Sequence, residues 1–551
     1  MSNNVLINTL HRKKMVNNKD GNMNLVEASL LILLLAAFSA PLAERFHLPG
    51  EVFLLLGSCV LSLIPGIPIF EINPNIVFIV FLPPILFYAA YLTSWRDFKR
   101  NRRPIAFLAI GLVIITTGSV AWIAKLIFPN FTWAQGFLLG AIVSPPDAAA
   151  ATSIVRKLRA PRRLITLLEG ESLVNDATAL LAYRFALSAI LIGSFSFGSA
   201  IGQFFIMTIG GILVGFVISF TAFQFLRRLA DGHAQTTMSL VTAFACYIAA
   251  EHLGVSSVIS TVVGGFYFGR RFPELTSSRA RIETNAAWKH IIFIINGFVF
   301  SIMGFQLPIV LKTLGDVPLW TLIIDSVGIA VVVIAVRLAW VFTATYIPRL
   351  LSPVIRRNDP NPSWQVVAAL GWTGMRGIVS LAAVLAIPTE LPNGLPFPDR
   401  GILIFVTYVV ILITLIVPSL TLPWWLNFFK IKGGHEKVEE EAIARVRALE
   451  GVLNRIKSWE ENQKFPPHMV SEFKQQMERK LSVIRPHVSE VPFSEINEEY
   501  SILRKLTKES LESERAVLHQ LRREGKIHDE VFHLLSEELD LEEIRCKTLR
   551  I

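Results

Sequence analysis

Between residues 25 and 426 the chain is a close succession of apolar windows, each about 20 residues long and, at about 1.5 Å per residue, long enough to cross about 30 Å of hydrocarbon as a helix. After Lys430 such windows stop. With 52% hydrophobic and 17% charged residues and a mean hydropathy of +0.50, a chain of 551 residues is too apolar for a soluble enzyme. The expected fold class is therefore all-α: a polytopic membrane protein with about thirteen transmembrane helices and a helical tail.

The expected spans are 25–43, 52–69, 76–92, 105–128, 133–154, 164–192, 201–226, 238–253, 255–269, 287–307, 319–347, 364–387 and 402–425. Alternate loops carry the basic residues: Arg45, then clusters over 96–103 and 156–163, then Arg227 and Arg228, then clusters over 270–281 and 349–357. The opposite loops hold little beyond Lys312 and Arg400. Loops rich in Lys and Arg stay in the cytoplasm. This places the C-terminus inside and, with an odd number of spans, the N-terminus outside. It also accounts for the net charge of +10 without nucleic acid, since no basic stripe interleaved with aromatics occurs.

Three domains are expected: a polar leader over 1–23, a membrane domain over 24–427 and a cytoplasmic helical domain over 428–551. The leader has Arg12, Lys13, Lys14 and Lys19 and no apolar core, so it is not a signal peptide. Either it belongs to the protein, or the native start is Met23, which removes four positive charges from the outer face. The tail shows helical periodicity over 439–455, 500–523 and 530–544 and no catalytic motif. Cys59, Cys246 and Cys546 are scattered, and the eleven histidines form no metal-binding spacing. Neither a resident metal nor a cofactor is expected. No GxxxxGK[ST] segment occurs, which argues against a pump driven by nucleotide hydrolysis.

Two spans contain breakers at their middles. The fifth has Ser144, Pro145, Pro146 and Asp147, and proline inside a helix removes a donor and clashes with the preceding turn. The twelfth has Gly371, Gly374 and Gly377 around Arg376. With the seventh span as a linker, both are fifth in their halves, the pattern of an inverted-repeat transporter with its site at the midplane. Kinks alone are the plainer reading of each break. Asp147 and Arg376 either neutralise their own half-helices or touch the ion directly.

The sixth span puts three carboxylates, Glu169, Glu171 and Asp176, into a segment otherwise apolar enough to cross a bilayer. An ionised side chain at that depth costs about 2.5–3.5 kcal/mol on insertion scales, so it is found mainly on ion paths or in buried pairs. Glu169, Ser172 and Asp176 fall at i, i+3 and i+7 and share one face. Ser172 and Asp176 can offer a hydroxyl and a carboxylate to one hard cation such as sodium, with unwound carbonyls near Pro145 completing the cage. Burial penalises the charged form of Asp176, so it can hold a proton near neutral pH and release it when a cation takes the same oxygens. Competition at one carboxylate is already a mechanism for one-for-one exchange. Glu171 and Arg376, each without a nearer opposite charge in sequence, are expected to form a structural ion pair; Arg337 is left without an assigned role.

These residues resemble the cation/proton antiporter superfamily, in its electroneutral sodium/proton branch (family 1), and specifically bacterial members with a helical tail. The likeness covers nearly all of 23–425 and rests on LPPILF at 82–87, SPPDA at 144–148, GESLVNDATAL at 170–180 and GMRGIVSLA at 374–382, with LDLEEIR at 539–545 in the tail. The resemblance implies that Asp176 carries cation and proton, that Ser172 supplies a ligand oxygen, that Asn175 supports the site and that the backbone around Pro146 contributes an oxygen. Asp147 matches the acidic residue of the fifth-span motif. It also implies that Glu171 pairs with Arg376, that Asn175 in place of a second aspartate means electroneutral exchange, and that the protein is a homodimer in the bacterial inner membrane. Two positions depart from the family's pattern: Pro146 where many members have threonine, and Tyr88 where many have a carboxylate. They bear on cation preference (Na+, Li+ or K+) more than on exchange. A cation channel and an ion-sensing membrane protein are the alternatives; a channel more naturally lines its path with rings or filters from repeated subunits.

Overall fold

The computed structural model describes residues 25–45, 49–64, 77–158, 160–193, 197–229, 231–276, 278–314, 318–359, 361–431, 436–462, 465–484, 493–524, 526 and 529–548. The leader, with Met23, and the end of the second expected span lie outside them. The chain divides into two compact units, Met1–Lys432 and Gly433–Ile551.

In the first unit, α1 (Leu25–Arg45) and α2 (Gly50–Ser62) precede a π-helical turn, Val77–Phe81, that enters α3 (Leu82–Leu92). Short α4 (Trp95–Arg100) and α5 (Arg102–Ala106) lead through a second π-helical turn, Phe107–Gly111, into α6 (Leu112–Ile127). Next come α7 (Trp133–Val143), α8 (Ala148–Lys157), the long α9 (Arg162–Ile192), α10 (Phe197–Leu226), α11 (Gly232–His252) and α12 (Ser257–Leu275). The unit closes with α13 (Ser278–Phe305), α14 (Leu307–Lys312), α15 (Leu319–Leu351), α16 (Pro353–Asn358), α17 (Trp364–Trp372), α18 (Ile378–Leu385) and α19 (Arg400–Phe428). Among the described residues the extended structure amounts to one isolated bridge, Glu390 to Pro396.

Within the described residues the expected spans fall on helices, interrupted pairs, or helices with their π-helical entry, except that the helix of the second ends at Ser62. Among the described residues, six helices are long and apolar enough, by length and composition, to cross a membrane; α7 and α8, like α17 and α18, are halves of interrupted segments. On α10 the side chains of Phe205, Ile206, Leu213 and Val217 are more than half exposed, as suits a helix solvated by lipid.

Local chemistry explains the interruptions. Thr132 starts α7 with a reciprocal capping box, its hydroxyl accepting from the Gln135 N–H at 3.2 Å while Gln135 Oε1 accepts from the Thr132 N–H at 2.7 Å. The helix stops at Val143 because Pro145 and Pro146 lack N–H donors, and it resumes at Ala148. At the second π-helical turn the Phe107 carbonyl accepts twice, from the Leu112 N–H five residues on and from Trp340 Nε1 of α15, the latter at 2.9 Å.

Among the described residues the second unit has four helices: α20 (Glu436–Glu461), α21 (Pro467–Ile484), α22 (Phe493–Arg523) and α23 (Asp529–Thr548). α21 falls outside the expected periodic stretches. It buries Val470, Met477 and Leu481 against a stripe on α20 that includes Val446 and Ile456. Between α22 and α23, Arg515 pairs with Asp540 and Glu543, and the Arg522 guanidinium lies 4.7 Å from the Phe532 ring centre.

Candidate functional site

The two interruptions meet. The Asp147 N–H donates to the Met375 carbonyl at 2.7 Å, joining the α7–α8 break to the α17–α18 break through backbone alone. Ending helices inside an apolar segment leaves carbonyls and N–H groups without intrahelical partners, and each must be met by another group.

Two arginines meet the carbonyls. Arg376 Nε donates to the Val143 carbonyl, the last residue of α7, at 2.6 Å, and its Nη1 donates to the Gly374 carbonyl at 2.9 Å. Arg337 of α15 caps the other half-helix: Nε donates to Gly371 at 3.1 Å and Nη2 to Leu370 at 3.4 Å. The opposite charge stands at the following N-terminus. The Asp147 carboxylate lies directly against Gly377, the N-cap of α18, so closely that a Cβ there would overlap it. Asp147 therefore faces the start of the other broken segment's second half, and only glycine leaves room for it.

The expected Glu171–Arg376 pair is corrected by this geometry. Glu171 accepts two hydrogen bonds from Arg337, Nη1 to Oε1 at 2.5 Å and Nη2 to Oε2 at 3.1 Å, with both side chains at most 2% exposed. Arg376 stays within electrostatic range of Glu171 and Arg337, but its hydrogen bonds go to carbonyls. Sequence separation pointed to the wrong arginine because partner choice depends on which helices are neighbours. The available signal was Arg337 itself, a buried arginine that no sequence argument had accounted for.

On α9, Asn175 is fully buried and Asp176 is 7% exposed. Asn175 Nδ2 donates to the Pro146 carbonyl at 2.7 Å, tying α9 to the first break. Asn175 Oδ1 and Arg376 Nη2 are buried with no hydrogen-bond partner among the described residues. Ser172, half-buried, precedes Asp176 by one turn, so Asp176, Ser172, Asn175, Pro146 and Asp147 lie on α9 and on the break that Asn175 fastens to it. Two further carboxylates also belong here: Glu169, already placed on the Asp176 face of α9 by its spacing, and Glu51, which no sequence argument had singled out. Glu51 of α2 faces Ser153 of α8 and lies within electrostatic range of Asp147. Glu169 accepts from Thr93 and pairs with Arg156. Tyr88 instead stacks on Trp288 of α13 at 5.5 Å and Tyr91 at 6.3 Å, so aromatic packing occupies that position.

Crossed half-helices capped by fixed charges, beside a nearly buried aspartate in an all-helical apolar chain, define a membrane exchanger of cations for protons. The family described as "Sodium/hydrogen exchanger, transmembrane" matches residues 30–428, and the chain belongs to that family. An "Uncharacterized Na(+)/H(+) exchanger" of Mycobacterium tuberculosis is 30% identical over 510 residues, covering 92% of this chain and 93% of the relative. A "Sodium, potassium, lithium and rubidium/H(+) antiporter" of Bacillus pumilus is 32% identical over 411 residues, covering 72% of this chain and 60% of its own. Among solved structures, the sodium proton antiporter NhaP1 of Methanocaldococcus jannaschii matches with a TM-score of 0.57 at 17% identity, over 73% of this chain and 97% of that one. That likeness is one of fold. The family is one of transporters, and its activity is exchange of cation for proton rather than channel conduction.

Proposed function

We propose that the chain exchanges one monovalent cation for one proton without net charge movement, and that Asp176 binds the two in turn. The reading rests on one observation: Asp176 is a nearly buried carboxylate next to Asn175, the residue that holds α9 to the first break. Protonated, or neutralised by a cation, the site crosses the membrane at low cost. Empty, it carries a bare charge worth about 2.5–3.5 kcal/mol near the midplane, which suppresses uncoupled return. Asn175, where a second aspartate would add another charge, supports the stoichiometry of one for one.

In this reading Ser172 and the backbone around Pro146 supply further oxygens, while Glu171, held by Arg337, is structural. Na+ is the expected cation, with Li+ and K+ as candidates given the breadth in the name of the Bacillus relative. The protein acts as a transporter rather than an enzyme. It works as a homodimer in the bacterial inner membrane, with thirteen crossings, the tail over 428–551 in the cytoplasm and the N-terminus outside, as the arginine-rich loops support.

Competition at one carboxylate has a signature. At pH values where Asp176 is mostly protonated, each unit of acidification raises the apparent KM for Na+ about tenfold, with the maximal rate little changed. A KM independent of pH across the acid limb, in vesicles with a trapped pH dye, would refute shared binding.

A further inference from the structure

Two turns before Asp176, on the same face of α9, stands Glu169, which the exchange chemistry leaves unused. Side chains from two other elements converge on it. Arg156, in the last turn of α8, pairs with its Oε1. Thr93, the C-cap of α3, places its hydroxyl 3.4 Å from Oε2, its one proton shared with the nearer Ala89 carbonyl at 2.8 Å. Exposure within the pair is uneven: the Glu169 side chain is 17% exposed and that of Arg156 54%. The carboxylate is therefore mostly covered, and the guanidinium sits on its open side. Around the pair, Tyr88 lies within electrostatic range of Arg156, and Ser153, one turn earlier on α8, faces Glu51.

We infer that Glu169 is an entrance subsite for the transported monovalent cation, with Arg156 as its tethered competitor. A guanidinium resting on a carboxylate presents the same charge and the same oxygen partners that an arriving cation would use. To reach Asp176 along this face of α9, the cation passes Glu169 and displaces Arg156. An ion pair with one partner this exposed is weak enough to be displaced. The tether raises the cation concentration needed on the face where the α8–α9 loop lies, and leaves the other face unaffected.

This rests on Asp176 as the carrier, and the test separates the two. Apparent KM for Na+ is measured in everted and right-side-out vesicles, with each variant's abundance read by immunoblot. Arg156→Gln is expected to lower KM about threefold on one face only, at unchanged maximal rate, the factor an ion pair of this exposure supports. Glu169→Gln raises KM on that face and abolishes the effect of Arg156→Gln in the double variant, while Arg156→Lys stays near wild type. An unchanged KM in Arg156→Gln, a shift on both faces, or an equal shift with Glu169 already neutralised overturns the proposal. A lower maximal rate at constant KM also overturns it, since that marks a merely structural role. If Asp176→Asn retains full exchange, the carrier reading fails instead.

Discussion

Arg337→Ala removes the guanidinium that donates to both oxygens of Glu171 and to the Leu370 and Gly371 carbonyls. The Glu171 carboxylate, 1% exposed, is then a buried charge without its hydrogen-bonded partner. Breaking such a pair from one side costs about 3–5 kcal/mol. Set against a total stability of about 5–15 kcal/mol, that loss is large. At roughly 2 °C per kcal/mol, the unfolding midpoint falls by about 6–10 °C. Arg376→Ala frees the Val143 and Gly374 carbonyls but strands no carboxylate. Its cost is nearer 2 kcal/mol, or about 4 °C. The assay is stepwise heating of purified protein, with the folded fraction read by fluorescence-detected size exclusion. Glu171→Gln should recover most of the loss in Arg337→Ala and little of that in Arg376→Ala. Rescue of Arg376→Ala but not of Arg337→Ala would refute the assignment of the pair.

Gly377→Ala drives a methyl group into the Asp147 carboxylate, so exchange should fall at least tenfold while folding weakens by about 1–3 kcal/mol; wild-type rates in vesicles would contradict this. Trp340→Phe leaves the Phe107 carbonyl without its indole donor and should lower the unfolding midpoint by about 2 °C, an amount that Trp340→Ala exceeds. At Asp359, in the loop after α16, burial pushes the carboxyl upward, but hydrogen bonds and charge from Arg163 together with Arg349 outweigh it and hold it below the usual range. A carboxylate held low in the folded state stabilises it fully above the unfolded value of about 3.9 and loses that contribution as pH falls through the lower folded value. Asp359→Asn should therefore be less stable than wild type at neutral pH and converge with it in acid, as midpoints measured across pH will show.

Span positions were legible because hydrocarbon thickness fixes helix length, whatever the neighbours are. The breaks were legible for a similar reason: Pro145 and Pro146 cannot donate, and Gly371, Gly374 and Gly377 cluster where a continuous helix gains nothing from them. Helical spacing alone put Ser172 and Asp176 on one face. What spacing along one chain cannot give is adjacency between helices. Arg337 lies far from Glu171 in sequence and next to it in space, and Asp147, the residue before α8, also lies against Gly377 at the start of α18. The bond from Trp340 to Phe107 was hidden for the same reason, compounded by a π-helical turn that no residue pattern announces. In the tail, α21 went unseen because its apolar stripe is short and set among charged residues, and it makes sense only against α20.

The central claim is that Asp176 carries both ions. It is tested most directly by reconstituting wild type and Asp176→Asn in vesicles with a trapped pH dye, adding Na+ outside, and setting the membrane potential with K+ and valinomycin. Wild type should show Na+-driven proton efflux at the same rate at every potential, and Asp176→Asn, present at equal density, should show none. Efflux that follows the potential, or that persists in Asp176→Asn, would contradict the account.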